Sequence, residues 1–578
     1  MIPKYFVPFV ALFLFACNGN QDTQPEALSL LAGNSGVSTN SNPPEIEPQE
    51  SESLLVVTSQ ESNHRFESEH FSGSENCSSC HNGMTDESGE DLSIINDWRT
   101  TMMANSARDP FWKAMVASEV SRNPALSDTI EGKCARCHMP MAHVEASFMG
   151  EQISLLGDGF FSDKNPHFEK AAEGVSCTAC HQIEETTEFG TEDATSGKFV
   201  IAENTGSNRN LYGPLANPMQ GPMINNTGFT PVASDHMSKS ALCGSCHDVT
   251  TPVVTVGGTV TGDSFPEQMV YSEWKNSAYA EAGTEQSCQS CHMPRANGSA
   301  KIATRPESVQ AREYFSKHYF VGANTVMLDI MQDNADTLGI SVNDFSKTID
   351  RTREMLQSSA TIAVEGLQQV DNQLSFDVRV SNKSGHKLPS GFPSRRAWLH
   401  VTVFDVDDNP VFESGAINAE GMISGVDADN NHSQYEMHHD VITSAEQVQV
   451  YESIMQNTEG KVNYTLLNAS GYLKDNRLMP LGMDKGNIPE KIQVNGLAKS
   501  DDDFIAGEDL VSYRLAGISA GSYRIKVSLN YQTLAYAFAN DLFRSETDDG
   551  FVSTFQSLYN KADFRYEEVI TVETVSDS

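Results

Sequence analysis

Ten of the chain's eleven cysteines fall in a single repeated pattern, Cys-x-x-Cys-His, and no other feature limits its folds as strongly. The five copies are Cys77/Cys80/His81, Cys134/Cys137/His138, Cys177/Cys180/His181, Cys243/Cys246/His247 and Cys288/Cys291/His292. At this spacing two thiols can form thioethers to the edge of a porphyrin while the adjacent His reaches its iron as proximal ligand. Disulfides or zinc sites would use the thiols, but neither requires a His after every second Cys. The expectation is five covalently bound haem c groups. A chain so arranged must fold around large apolar cofactors.

Certain phrases around these motifs are shared with known proteins. Glu173-Gly174-Val175-Ser176-Cys177 and the two Cys-His-Met-Pro sites, Cys137 to Pro140 and Cys291 to Pro294, resemble the multihaem c-type cytochromes. The resemblance extends distantly to the tetrahaem cytochrome that accepts electrons in hydroxylamine oxidation, and it covers residues 64 to 320. It implies haem attachment rather than a particular pathway. The repeated Cys-His-Met-Pro hints at duplication, but the motif spacings of 57, 43, 66 and 45 residues have no fixed period.

A sixth iron ligand separates a closed electron carrier from an open catalytic haem. The candidate distal ligands are His70, His143, His167, His236 and His318, with His386 further along the chain. His70 and His236 each stand seven residues before the first Cys of a motif, which suggests equivalent roles. Each could instead be an exposed loop histidine, and His64 fits that description best. Met102 and Met103, between Trp98 and Trp112, read as core, while Met139 and Met293 read as packing against porphyrin.

The extreme N-terminus reads as an address. Lys4 precedes an apolar stretch ending in Leu14-Phe15-Ala16-Cys17, which has the regions of a secretory signal and resembles a bacterial lipobox. Acylated Cys17 would anchor the mature chain to a membrane, and Asn18 in second position favours the outer membrane over the inner. The expectation is an exported outer-membrane lipoprotein facing the periplasm or the cell exterior. Residues 18–63 carry seven acids and no Lys or Arg, so they read as a disordered acidic tether. No later stretch is apolar enough to span a bilayer.

The remaining 222 residues after position 356 contain no cysteine, and the pattern changes to alternation. Leu374, Phe376, Val378 and Val380 share a face; so do Ala397, Leu399, Val401 and Val403, and Tyr523, Ile525, Val527 and Leu529. Such period-two runs predict an antiparallel β-sandwich of about seven or eight strands, Ig-like or fibronectin-like. The expected organisation is a signal peptide (1–17), the tether (18–63), a mainly helical and irregular pentahaem cytochrome domain (64–356) and the sandwich (357–578). Between its first two strands the loop Ser384 to Pro393 presents His386, either as a haem ligand across the domain boundary or as a loop histidine with a local backbone partner. Similar Gly-His-x-x-Pro loops occur in sandwich modules of such cytochromes.

Two acidic turns, Asp405-x-Asp407-x-Asn409 and Asp427-x-Asp429-x-Asn431, open like calcium loops but lack the Gly and Glu that complete one. A formal charge of −39 argues against nucleic-acid binding, and no phosphate loop, nucleophile elbow or dinucleotide fingerprint is present. The leading expectation is electron transfer between redox partner proteins or to an extracellular acceptor. The alternative is an oxidoreductase acting on a small nitrogen or sulfur compound at one open haem, and a third reading makes the sandwich a docking module. Without a Cys-x-x-Cys-Lys motif, a lysine-ligated haem is not expected.

Overall fold

The computed structural model describes residues 56–203, 206 and 209–576; the signal, Cys17 and most of the expected tether lie outside them. The described residues belong to one compact unit, Leu54–Ser578. Val56 to Asn63, assigned above to the tether, lie against the body of the protein. Val57 N donates to Thr554 Oγ1 (2.7 Å), Ser59 N to Thr337 O (2.8 Å), and Ser62 is buried. Ordinary backbone pairing holds this stretch despite its polar composition.

The first half is short helices joined by long loops. Its longest early helix, Pro110–Arg122, starts where the Asp109 side chain accepts from Phe111 N and Trp112 N and Pro110 supplies a preset φ. Each Cys-x-x-Cys-His lies on or directly after a helical turn: Ser74–Ser78, Ser127–His138, Cys177–Cys180, Ser240–His247 and Cys288–His292. In such a turn residues i, i+3 and i+4 share a face, which brings both thiols and the imidazole to one side. Two small sheets, β1 (Arg209–Gly213) with β2 (Phe229–Ala233) and β3 (Asp248–Val254) with β4 (Val260–Met269), flank the fourth motif.

The second half is built on two sheets. β5 (Ala360–Val370), β6 (Gln373–Asn382), β13 (Glu508–Ala516) and β9 (Val441–Ile442) form one, in the order β5-β6-β13-β9. The other follows β11 (Val462–Asn463), β10 (Val450–Gln456), β7 (Arg396–Phe404), β14 (Arg524–Gln532) and β15 (Glu567–Val575), with β12 (Gly471–Asp475) on β10 and β8 (Pro410–Ser414) on β7. The alternating residues named above, among them Phe376 and Val378 of β6, Val401 of β7 and Val527 of β14, enter one apolar cluster shared by both sheets, which Tyr513 of β13 joins. The opposite face of β7 is buried as well, because Trp398 packs with Ile423, Val426 and Val448.

Three features depart from the expected sandwich. Together the sheets hold eleven strands rather than seven or eight, the additional ones being short; β9 runs parallel to β13; and two helices, Tyr536–Phe543 and Phe551–Lys561, interrupt the strands between β14 and β15. These helices share a core with the first half. Phe538, Leu542, Phe555 and Leu558 pack with Met115 of the 110–122 helix, and with Val326, Ile330 and Ile349. Arg122 pairs with Asp541 (3.0 Å) and Ser118 Oγ meets Ser545 Oγ (2.8 Å), so the polar rim repeats the connection.

Glu119 adds a buried acid to this seam. Its carboxylate accepts from Leu466 N and Leu467 N, and burial, partly opposed by those bonds, pushes its pKa up to about 7. The folded carboxyl therefore keeps its proton where the unfolded one, near 4.5, has lost it. Its contribution to stability is complete below pH 4.5 and is lost as pH rises through about 7. Glu119→Gln should flatten the fall of unfolding free energy across that interval in denaturant titrations at stepped pH. Phe555, fully buried, should cost about 3–5 kcal/mol when replaced by Ala. A loss below 1 kcal/mol in the same titration would show that the shared core does not bind the halves.

Candidate functional site

The five motifs adjoin one another. The thiols of Cys77 and Cys177 lie close enough to shift one another's ionisation, as do those of Cys137 and Cys246 and those of Cys243 and Cys288. Cys180 lies close enough to Cys243 and Cys246 to influence their ionisation, so the first and third motifs connect to the other three. All ten thiols are free. Burial pushes Cys180 up to about 12, which keeps it protonated and removes any charge cost for the interior.

Four of the five motif histidines are oriented alike. Nδ1 donates to a backbone carbonyl in His81 (Ile302, 2.7 Å), His138 (Ser106, 3.2 Å), His181 (Tyr212, 2.6 Å) and His292 (Val321, 2.6 Å). That bond fixes the tautomer and leaves Nε2 as a bare lone pair, the arrangement a metal-binding imidazole needs. Burial pulls His138 and His247 down to about 4, so both stay neutral at ordinary pH. The His138 ring also lies flat on Trp112, with centroids 4.3 Å apart and planes 2° from parallel.

The other candidate histidines divide by what their nitrogens do. His318 Nδ1 donates to Ser316 O (3.1 Å) and His386 Nδ1 to Lys387 O (3.0 Å), which again leaves Nε2 free. Burial lowers them to about 3 and about 4 respectively. The His318 ring stands 6.4 Å from that of His181, at 24° between planes; the His386 ring stands 6.4 Å from that of His292, at 16°. His70 is buried, its Nδ1 on Glu145 (3.1 Å), its Nε2 without any partner. His167 is the mirror case, with Nε2 on Glu151 (2.6 Å) and a buried, unpartnered Nδ1. His143, on the Pro140–Met149 helix, is lowered to about 4 by burial and then by Arg136.

His236 differs. Its Nε2 donates to Ile183 O (2.8 Å) and its Nδ1 accepts from Ser234 Oγ (2.6 Å), with Tyr212 and Phe189 edge-on to the ring. Both nitrogens are engaged, so the equivalence with His70 suggested by matching sequence offsets does not extend to their surroundings. His64 is likewise engaged twice, by Glu173 (2.5 Å) and Ser341 (3.2 Å). Met102 and Met139 pack in apolar clusters. Neither acidic turn is a calcium loop: Asp405 accepts from Asp407 N and Asn409 N within its own hairpin, and Asp429 is held by the Arg396 guanidinium through two 2.8 Å bonds.

His386 reaches His292 because its loop is clamped across the boundary between the halves. Gly385 lies so close to Trp274 and Tyr279 that a Cβ would stand 3.2 Å from the indole, and Tyr279 OH donates to Lys383 O (2.8 Å). The next residue, Lys387, is fully buried and pairs with Asp475 (2.8 Å), while its backbone N donates to Glu273 (3.1 Å). Arg477 bridges Asp475 (2.8 Å) and Glu273 (3.0 Å). Burial alone would raise the Asp475 carboxyl, but Arg477 and Lys387 outweigh it and hold it at about 2. Two cations and two anions thus neutralise one another between the first-half helix Val270–Lys275 and β12, although Glu273 Oε1 and one Arg477 nitrogen make no hydrogen bond. No sequence pattern announces these four residues.

The thiol clusters and the oriented imidazoles are donor sets suited to haem c, and the comparisons bear on the same question. No protein-family model and no curated protein matches the chain. Among solved structures it is similar to a penta-heme cytochrome c552 from Thermochromatium tepidum, with 15% identity and a TM-score of 0.50 over 88% of this chain and 99% of that one. The chain has the fold of a multihaem cytochrome. The likeness spans both the motif-bearing half and most of the sheets, at an identity too low to carry anything beyond architecture.

Removing one member of the clamp would strand the others, because a buried charge without its partner costs about 3–5 kcal/mol. Asp475→Ala should destabilise the protein by that order in chemical denaturation. A change under 1 kcal/mol would show that water, rather than Asp475, neutralises Lys387 and Arg477.

Proposed function

We propose that this protein is a pentahaem electron carrier in which each motif binds one haem c through its two thiols and its own histidine. Cys77, Cys80, Cys134, Cys137, Cys177, Cys180, Cys243, Cys246, Cys288 and Cys291 supply the thioethers; His81, His138, His181, His247 and His292 are the proximal ligands. When bound, the haems supply one-electron redox chemistry, and the protein sets their axial ligands, spacing and dielectric.

The observation that carries this reading is the pair of parallel imidazole couples 6.4 Å apart. Two imidazoles that each place a nitrogen ~2 Å from one metal on opposite sides have centroids ~6 Å apart. His318 is therefore assigned opposite His181, and His386 opposite His292. His70 and His167, with bare buried nitrogens, and His143 are the donors left for the other three irons, while His236 is withdrawn from the set. Thiol contacts between motifs support close porphyrin edges, which stepwise electron transfer requires.

The wider setting belongs to the same proposal. Cys17 is acylated and anchors the protein at the outer membrane, the acidic stretch after it gives reach, and the partners are redox proteins or an extracellular acceptor. Neither nucleic acid nor a basic-groove ligand fits a charge of −39. The second reading is an oxidoreductase in which one of those three irons has no distal ligand.

Low-temperature EPR of the fully oxidised holoprotein separates the two. A carrier should show low-spin ferric haem only, and His318→Ala or His386→Ala should each convert one haem to high spin. One stoichiometric high-spin haem in the unaltered protein would overturn the carrier reading, and an unchanged spectrum in either variant would remove that ligand assignment.

A further inference from the structure

Away from the motifs, four carboxylates and a histidine converge at the edge of the four-stranded sheet. Asp440 immediately precedes β9, Asp501 and Asp503 lie in the loop entering β13, and Asp509 is the second residue of that strand. A carboxylate oxygen from each of Asp440, Asp501 and Asp503 lies within 4.8 Å of the others, and the same holds for the ligand atoms of His438, Asp501 and Asp509. Asp501 is common to both sets.

Asp501 is fully partnered, its Oδ1 accepting from Asp503 N (3.0 Å) and Phe504 N (3.3 Å), but two of its neighbours' oxygens are bare. His438 Nδ1 accepts from Gln449 (2.9 Å) and Asn476 (3.0 Å), so its proton is on Nε2, which donates to Asp501 Oδ2 (2.8 Å). Asp509 is 1% exposed; its Oδ2 accepts from Tyr451 OH (2.7 Å) and Gln449 (3.1 Å), while its Oδ1 has no partner at all. Asp503 Oδ1 is buried without a partner too. The Lys485 ammonium donates to the Asp501 backbone carbonyl rather than to a carboxylate of the cluster. A buried carboxylate oxygen that accepts nothing is costly unless a cation meets it.

We infer that Asp440, Asp501 and Asp503, with the inner oxygen of Asp509, form a binding site for one hard divalent cation of the calcium class. The donors are all oxygen, which suits calcium over softer metals. Oxygens bound to one calcium at ~2.4 Å lie no more than ~4.8 Å apart, the span within which Asp440, Asp501 and Asp503 each place one, and Asp509 places an oxygen within the same distance of Asp501. His438 is a positioning residue: it orients Asp501 through its N–H and does not touch the ion. Because Gln449 precedes β10 and Asn476 follows β12, a bound ion would tie the edge of the four-stranded sheet to the seven-stranded one.

The test is calorimetric titration of chelator-treated holoprotein with calcium chloride, alongside thermal unfolding with and without the ion. One calcium per chain and a raised unfolding midpoint are expected. Asp503→Asn should weaken calcium binding by about tenfold or more. Asp440→Asn, at an exposed rim position, should do the same, and it keeps the test intact if the first variant does not fold. Absence of both heat and midpoint shift at ~1 mM calcium would overturn the site. So would unchanged affinity in Asp440→Asn, or binding of zinc in preference to calcium, which would make His438 the ligand.

Discussion

An imidazole presents one nitrogen to a metal in a fixed direction when its other nitrogen is held, and this constraint organises most of the motif histidines of the first half. Backbone carbonyls from Ile302, Ser106, Tyr212 and Val321 hold four motif histidines, from 221, 32, 31 and 29 positions away respectively. The long loops of the first half exist to bring those carbonyls back. Ser316 and Lys387 hold His318 and His386 locally, from two and one positions away, and Glu145 holds His70 with a carboxylate. Irregular structure here is the price of presenting many oriented rings to a shared interior.

The second half serves that interior as well as its own core. One face of the sheets is a self-contained apolar cluster, while the helices between β14 and β15 complete a core begun by the 110–122 and 325–333 helices. The charge clamp of Glu273, Lys387, Asp475 and Arg477 then places a loop of the sheet half against His292. Apolar packing supplies adhesion without direction, whereas four buried charges that neutralise one another favour one register. A single loop position, His386, depends on both.

Much of this was legible in the residues. The motifs stand out because their chemistry needs fixed local spacing, and a helical turn converts that spacing into geometry with no help from the rest of the fold. The alternation of Leu374 to Val380 and Ala397 to Val403 likewise reports a pleated strand with one buried face. What escaped was long-range. Offset alone made His70 and His236 look alike, yet one keeps a bare nitrogen and the other donates to Ile183. The helices 536–543 and 551–561 lay inside the span assigned to the sandwich, because a short apolar run has no reliable period. The cluster of Asp440, Asp501, Asp503 and Asp509 spans about seventy positions and has no linear signature.

By itself, then, the sequence determined the attachment chemistry: ten thiols and five histidines at a spacing that only a local turn is needed to interpret. It also determined that a cysteine-free, alternating half follows. Only the tertiary structure decided which imidazoles face one another, which are consumed by backbone bonds, and where the acids gather. The physical reason is range. Covalent spacing and periodicity act over a few residues, whereas pairing His181 with His318, or His292 with His386, depends on packing and buried charge joining segments far apart in the chain.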